Sequence, residues 1–145
     1  MTSPFLRRKA RNYAVQALYQ WQMLQAPVNE IIAEFLADHS PKKFDVTYFQ
    51  EILEGAITHL AAVDEILQPH TKRALNDLDP TELAILRLAT FELLFKIDVP
   101  YRVIINEAVE LAKRFGATDG HKFVNGVLDK LAQQAREVEA QHKNQ

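Results

Sequence analysis

DPTELAILRLATFELLF, Asp79 to Phe95, opens on a helix start and then carries apolar residues on every side. Asp79 can cap, Pro80 suits the first helical position, and Glu82 can complete a capping box. Leu83, Ile85, Leu86, Leu88, Phe91, Leu94 and Phe95 then leave little wet face. A helix that is apolar all round is normally central, covered by its neighbours. Asp98-Val99-Pro100 breaks it. The stretch thus predicts a bundle built around one buried helix.

The flanking sequence supplies the neighbours. Ala10, Ala14, Ala17, Trp21 and Leu24 repeat at helical spacing, extended by Leu6 and Leu18, until Ala26-Pro27. A short helix is read from Val28 to Ala37, with Ile31, Ile32, Phe35 and Leu36 inward. From Val46 the helical period runs through Phe49, Ile52, Leu53, Ala56, Ile57, Leu60, Val63 and Leu67 to Pro69. Thr71 to Leu78 reads as a brief helix. After the central helix, Arg102 to Phe115 turns Ile105, Ala108, Val109, Ala112 and Phe115 inward, and Gly116 is placed for a left-handed cap. Thr118 or Asp119 can cap a last helix carrying Phe123, Val124, Val127, Leu128 and Leu131. Gly126 in its middle suggests close helix packing, and Asn106 and Asn125 read as core amides. The polar sequence from about residue 137 is expected to fray. No strand-like alternation competes, so 1–145 reads as one all-α domain of six or seven helices.

Composition narrows the function classes. Hydrophobic content of 48% and charged content of 25% are those of an ordinary water-soluble domain. With no cysteine, disulfides, thiolate metal sites and thiol nucleophiles are excluded. The five histidines show no i, i+4 pairing for a metal, and the four glycines are scattered, forming no phosphate loop. No catalytic residue, metal or cofactor is nominated. No secretory signal is read at the start. The apolar run Leu83–Ile97 is interrupted by Arg87, Glu92 and Lys96, short of the roughly 18 uncharged residues that span a bilayer. A non-enzymatic, cytoplasmic protein is expected.

Charge is unevenly placed. The chain carries a net charge of −2, yet its first 29 residues hold four cations and no anion. They lie in RRKAR: Arg7, Arg8, Lys9 and Arg11. On a helix of about 100° per residue, with Arg7 at the origin, the apolar stripe lies at about 260–340°. Arg11 falls at about 40°, Arg8 at about 100°, Tyr19 at about 120° and Asn12 at about 140°. The cations therefore share a side face with a tyrosine and an amide, beside the stripe and outside it. Such a face can pair guanidinium groups with phosphates and stack a ring on an unpaired base. A solvated face is the plain alternative. A membrane-surface helix is disfavoured, because three alanines make a weak lipid anchor.

FGATDGHKFVNGVLDK, Phe115 to Lys130, is the second candidate. A helix N-terminus offers free N–H groups, Gly120 admits close approach, Lys122 adds charge and Phe123 a ring. Asp119 argues the other way, since as a cap it would occupy those N–H groups and repel phosphate. A capped helix with Phe123 in the core stands beside the ligand reading.

RRKARNYAVQALYQWQ, DVPYRVIINEAVELAKRFG and HKFVNGVLDK together resemble the bacterial transcription antitermination factor family NusB, in the same order over almost the whole chain. The resemblance implies an all-helical fold of two small packed bundles and no enzymatic activity. It implies binding of single-stranded boxA RNA from ribosomal RNA leaders, jointly with the ribosomal protein NusE, within the RNA polymerase antitermination complex. Arg7, Arg8 and Arg11 match the family's RNA-binding helix, and Asp119, Lys122 and Phe123 match a second RNA-contacting region. Tyr19 and Glu82 fall where the protein partner is met. Lys9 keeps the charge of an arginine found in some relatives but loses its two-pronged geometry. Three phosphate contacts on single-stranded RNA imply a log-affinity against log-salt slope of about −2. A rival role is an RNA-presenting accessory domain like the N-terminal domain of ribosomal RNA cytosine methyltransferases; with the sequence stopping at Gln145, that role would need a separate enzyme. A homodimer is left open.

Overall fold

The computed structural model describes residues 3–137 and contains seven α-helices and no strand among them. These are α1 (Pro4–Leu24), α2 (Val28–Asp38), α3 (Val46–Thr58), α4 (Leu60–Leu67), α5 (Pro80–Phe95), α6 (Tyr101–Phe115) and α7 (Gly120–Ala135). The expected all-α fold of two packed small bundles is what the chain adopts. α1, α2 and α3 form the first bundle; α4 to α7 form the second. α5 touches α1, α3, α4, α6 and α7, the central place its sequence predicts. The tail expected to fray lies outside the described residues.

Local chemistry sets the ends of α5. Asp79 accepts the N–H groups of Thr81 and Glu82 at 2.9 and 3.1 Å. At the other end the Arg136 guanidinium donates to the carbonyls of Leu93, Val99 and Lys96 at 2.6, 3.0 and 2.8 Å, and to Glu92 O at 3.3 Å. Carbonyls that a helix end leaves unpaired are thus satisfied by one buried cation of the favourable sign. The same contact ties the end of α7 to the end of α5. α3 and α5 approach closely at Gly55, where a Cβ would overlap the Phe91 ring.

Two of the three charges of α5, Arg87 and Glu92, find partners on different helices. Arg87 donates to both Asp64 oxygens of α4 at 3.0 and 2.9 Å, and to Gln22 of α1 at 2.9 Å. Glu92 faces α1 and accepts from Arg11. These pairs fix the angular setting of α5 between the bundles.

Several expectations are corrected. The period from Val46 to Leu67 is interrupted at His59 (φ −103°, ψ 25°), whose ring stacks on Phe95 at 4.4 Å. The apolar period survives this one-residue break, so periodicity alone cannot reveal it. Thr71–Leu78 holds only a single 3₁₀ turn, Leu75–Asp77. Leu24, Leu36, Phe95 and Phe115, read as inward, are exposed. Gly116 is extended (φ −85°, ψ 177°), and the left-handed residue of that loop is Asp119 (φ 66°). Asn106 and Asn125 are exposed, and a Cβ at Gly126 would meet nothing, so neither core amides nor close packing accounts for them.

Candidate nucleic-acid interface

Geometry divides the four opening cations. Arg11 is buried, at 6% exposure, and its Nε donates to both Glu92 oxygens at 2.8 and 3.2 Å. The placement of Arg11 on an open side face is therefore corrected: α3 and α5 cover that side of α1, and Asn12 is largely covered as well. Burial pulls the Arg11 pKa down, but Glu92 outweighs it and holds the guanidinium above its ordinary value. Burial pushes the Glu92 carboxyl up, and Arg11 draws it partly back.

Arg7 is half-buried, with its guanidinium carbon 4.1 Å from the Tyr48 ring centroid and its Nε unpaired. Arg11 and Lys96 also face that ring, at 5.3 and 5.5 Å. Burial, then Glu92, push the Tyr48 phenol well up, so it stays neutral in this cationic surround. Sequence reading missed Tyr48 and Glu92. A carboxylate inside an otherwise apolar helix was the available signal, since a buried charge demands a partner.

Arg8 is the open cation, with a side chain 65% exposed. Its Nε donates to both oxygens of Glu107 on α6 at 3.1 Å, which fixes the guanidinium across a furrow between α1 and α6. Arg8 and Asn12 line one wall; Glu107, Glu110, Leu111, Lys113 and Arg114 line the other, around a space of about 500 Å³. Farther along α1 the furrow gives way to an apolar groove of about 520 Å³. Val15, Tyr19, Met23 and Leu24 of α1 line it with Phe35 of α2 and Phe115 of α6. Tyr19, Met23, Leu24 and Phe115 are all exposed there.

The second candidate region lies at the start of α7. Asp119 occupies the cap position but makes no side-chain cap bond. Its carboxylate stands 3.4 Å from the Lys122 ammonium, both being exposed, a pair worth little in water. The expectation that Asp119 caps with its side chain is corrected by its left-handed backbone, which turns the carboxylate outward. Phe123 is half-buried and packs on the core. Glu82 is largely covered, and its carboxylate accepts the Ala117 N–H; a Cβ at Gly120 would overlap it. Glu82 therefore braces the loop that presents Asp119 and Lys122.

Two helical bundles joined through a shared central helix, with a cation-rimmed furrow running into an apolar groove, define a helical binding protein with two abutting surfaces. Among the described residues no cluster of three or more His, Cys, Asp or Glu could hold a metal, and no helix is long and apolar enough to cross a membrane. The NusB family profile matches residues 8–133. A transcription antitermination protein NusB from Pseudomonas putida (strain GB-1) is 59% identical over 133 residues, covering 92% of this chain and 80% of that protein. One from Colwellia psychrerythraea (strain 34H / ATCC BAA-681) is 54% identical over 136 residues, covering 94% and 99%. The solved structure of T. maritima NusB superposes with a TM-score of 0.84 at 32% identity, covering 97% of this chain and 99% of that one. A crystal structure of the antitermination factors NusB and NusE with double-stranded RNA gives 0.83 at 26%, covering 91% and 99%. The chain belongs to the NusB family.

Proposed function

We propose that the chain is a transcription antitermination factor that binds boxA RNA of ribosomal RNA transcripts together with NusE and acts, without catalysis, on RNA polymerase elongation complexes in the cytoplasm. The observation that carries this reading is the match over nearly the whole chain to NusB as found with NusE and RNA. Relatives carrying the antitermination name favour it over the methyltransferase-accessory role.

The site is assigned with one change from the sequence expectation. Arg8 and the outer part of Arg7 neutralise phosphates at the first patch, and Lys122 does so at the second. Arg11 positions Arg7 and Tyr48 from inside, where its own charge is already answered by Glu92. Asp119 accepts from base amino groups and Phe123 offers a ring edge. NusE occupies the apolar groove around Tyr19, with Glu82 supporting its floor through the neighbouring loop. A homodimer using this groove would exclude NusE.

The test is RNA titration by gel shift across salt, with and without NusE, using single-stranded boxA RNA and its duplex form. Three phosphate contacts give a slope of about −2 for the single strand. NusE is expected to tighten binding by linkage. A slope near zero, or equal affinity with and without NusE, would overturn the assignment.

A further inference from the structure

Asn12 lies in mid-helix on α1, at 8% exposure, on the wall of the α1–α6 furrow. Its Oδ1 accepts from Gln16 Nε2 at 2.7 Å. That bond sets the amide orientation and leaves the Asn12 Nδ2 group as a donor with no protein partner among the described residues, in a side chain that lines the furrow. Side chains on a helix lean toward the preceding turn, so Asn12 leans toward Arg8. Unlike the enclosed unpaired atoms of Arg7, Arg11, Tyr48 and Thr90, this donor reaches the open space of the furrow and is available to a ligand there.

The furrow's other groups define what would complete it. Glu110 and Glu107 on α6 accept hydrogen bonds. Glu107 is occupied by Arg8, whereas Glu110 is exposed and holds only a loose contact to Lys113 at 3.4 Å. Arg114 lines the same wall, its guanidinium carbon 6.0 Å from the Phe115 ring centroid. A donor on one wall and an acceptor on the other, with a guanidinium group on each wall, fit a base edge that bears both a carbonyl and an amino group between two phosphates. Guanine and cytosine present such an edge; uracil lacks the amine and adenine the carbonyl. The furrow's 500 Å³ lies within the about 300–1,000 Å³ usual for small-ligand sites.

We propose that Asn12 reads a guanine or cytosine of unpaired RNA: Asn12 Nδ2 donates to the base carbonyl oxygen, Glu110 accepts from its amine, and Arg8 and Arg114 hold the flanking phosphates. This rests on the RNA-binding reading above and adds to it a residue that selects sequence. Phosphate contacts position RNA, while contacts to base edges specify it.

The experiment is fluorescence anisotropy with two RNAs of equal length, boxA and a version with its guanines and cytosines replaced by adenines and uracils. Wild type is expected to prefer boxA. Asn12→Ala is expected to weaken boxA binding about tenfold, leave the second RNA unchanged and leave the salt slope unchanged, because a neutral group displaces no counterion. Gln16→Ala, an exposed change that frees the Asn12 amide, is expected to lose about threefold of the preference and decides the matter if circular dichroism shows the first variant misfolded. Equal weakening on both RNAs marks a phosphate contact and overturns the proposal, as does an unchanged preference or its absence in wild type. If wild type binds neither RNA, the RNA-binding reading itself falls; if it binds both and Arg8→Ala weakens both, that reading stands whatever Asn12 does.

Discussion

Replacing Arg11 with methionine separates a structural from a direct RNA role. The single change removes one member of a buried pair whose side chains are 8% and 3% exposed, leaving Glu92 as an uncompensated interior charge. Breaking such a pair costs about 3–5 kcal/mol, a large part of the roughly 5–15 kcal/mol that holds a domain together. For a chain of this size that is a fall in Tm of roughly 6–20 °C. The pH dependence has a fixed sign. Burial already holds the Glu92 carboxyl above its ordinary value, and losing Arg11 sends it higher. A carboxyl raised in the folded state is tolerated while protonated and costs stability once pH rises through its folded pKa. The deficit of Arg11→Met is therefore expected to shrink as pH is lowered from 8 toward 5. Adding Glu92→Leu removes the stranded charge and is expected to recover most of the loss, since well-packed apolar replacements of buried pairs are often neutral or better. Urea denaturation of the wild type, the single and the double variant across pH measures this, with boxA titration well below each midpoint. A single variant as stable as wild type that nevertheless loses RNA binding would refute the argument.

Other outcomes follow from the same packing. Arg136→Met leaves the final carbonyls of α5 unpaired and is expected to cost about 2–4 kcal/mol by denaturant titration, with RNA affinity unchanged in the folded protein. Gly55→Ala drives a methyl into the Phe91 ring; a loss of about 1–3 kcal/mol is expected, measured the same way. Glu82→Gln keeps an oxygen for the Ala117 N–H while removing a carboxyl that burial and Asp79 hold above its ordinary value. Wild type pays for that ionisation as pH rises, so the variant's stability relative to wild type is expected to increase from pH 4 to 8 in thermal melts. Met23→Asp places a charge in the exposed groove; calorimetry is expected to show NusE binding weakened more than tenfold, with binding of RNA alone unchanged.

What sequence could reveal depended on range. The central position of α5 followed from its own composition, and Asp79 caps as its neighbours dictate. The two bundles followed from the resemblance. The fate of Arg11 did not, because its angle on α1 lies just beside the apolar stripe, and whether that margin is wet depends on α3 and α5 arriving from elsewhere in the chain. Asn12 is covered for the same reason. Arg8, one turn-step away, stays open although α6 meets it through Glu107. Asp119 was legible as a cap position, but its left-handed backbone was not, since Gly116 and Gly120 beside it are the residues ordinarily assigned that conformation.

Gln16 lies at a seam on α1: the furrow ends at its hydrogen-bond partner Asn12, and the groove begins with Val15 and Gln16. From Arg8 to Tyr19 is eleven steps of one rigid rod, about 16 Å. A nucleotide and a polypeptide laid along that strut would touch each other, so their mutual reinforcement could arise at the guests' own junction while the host stays still.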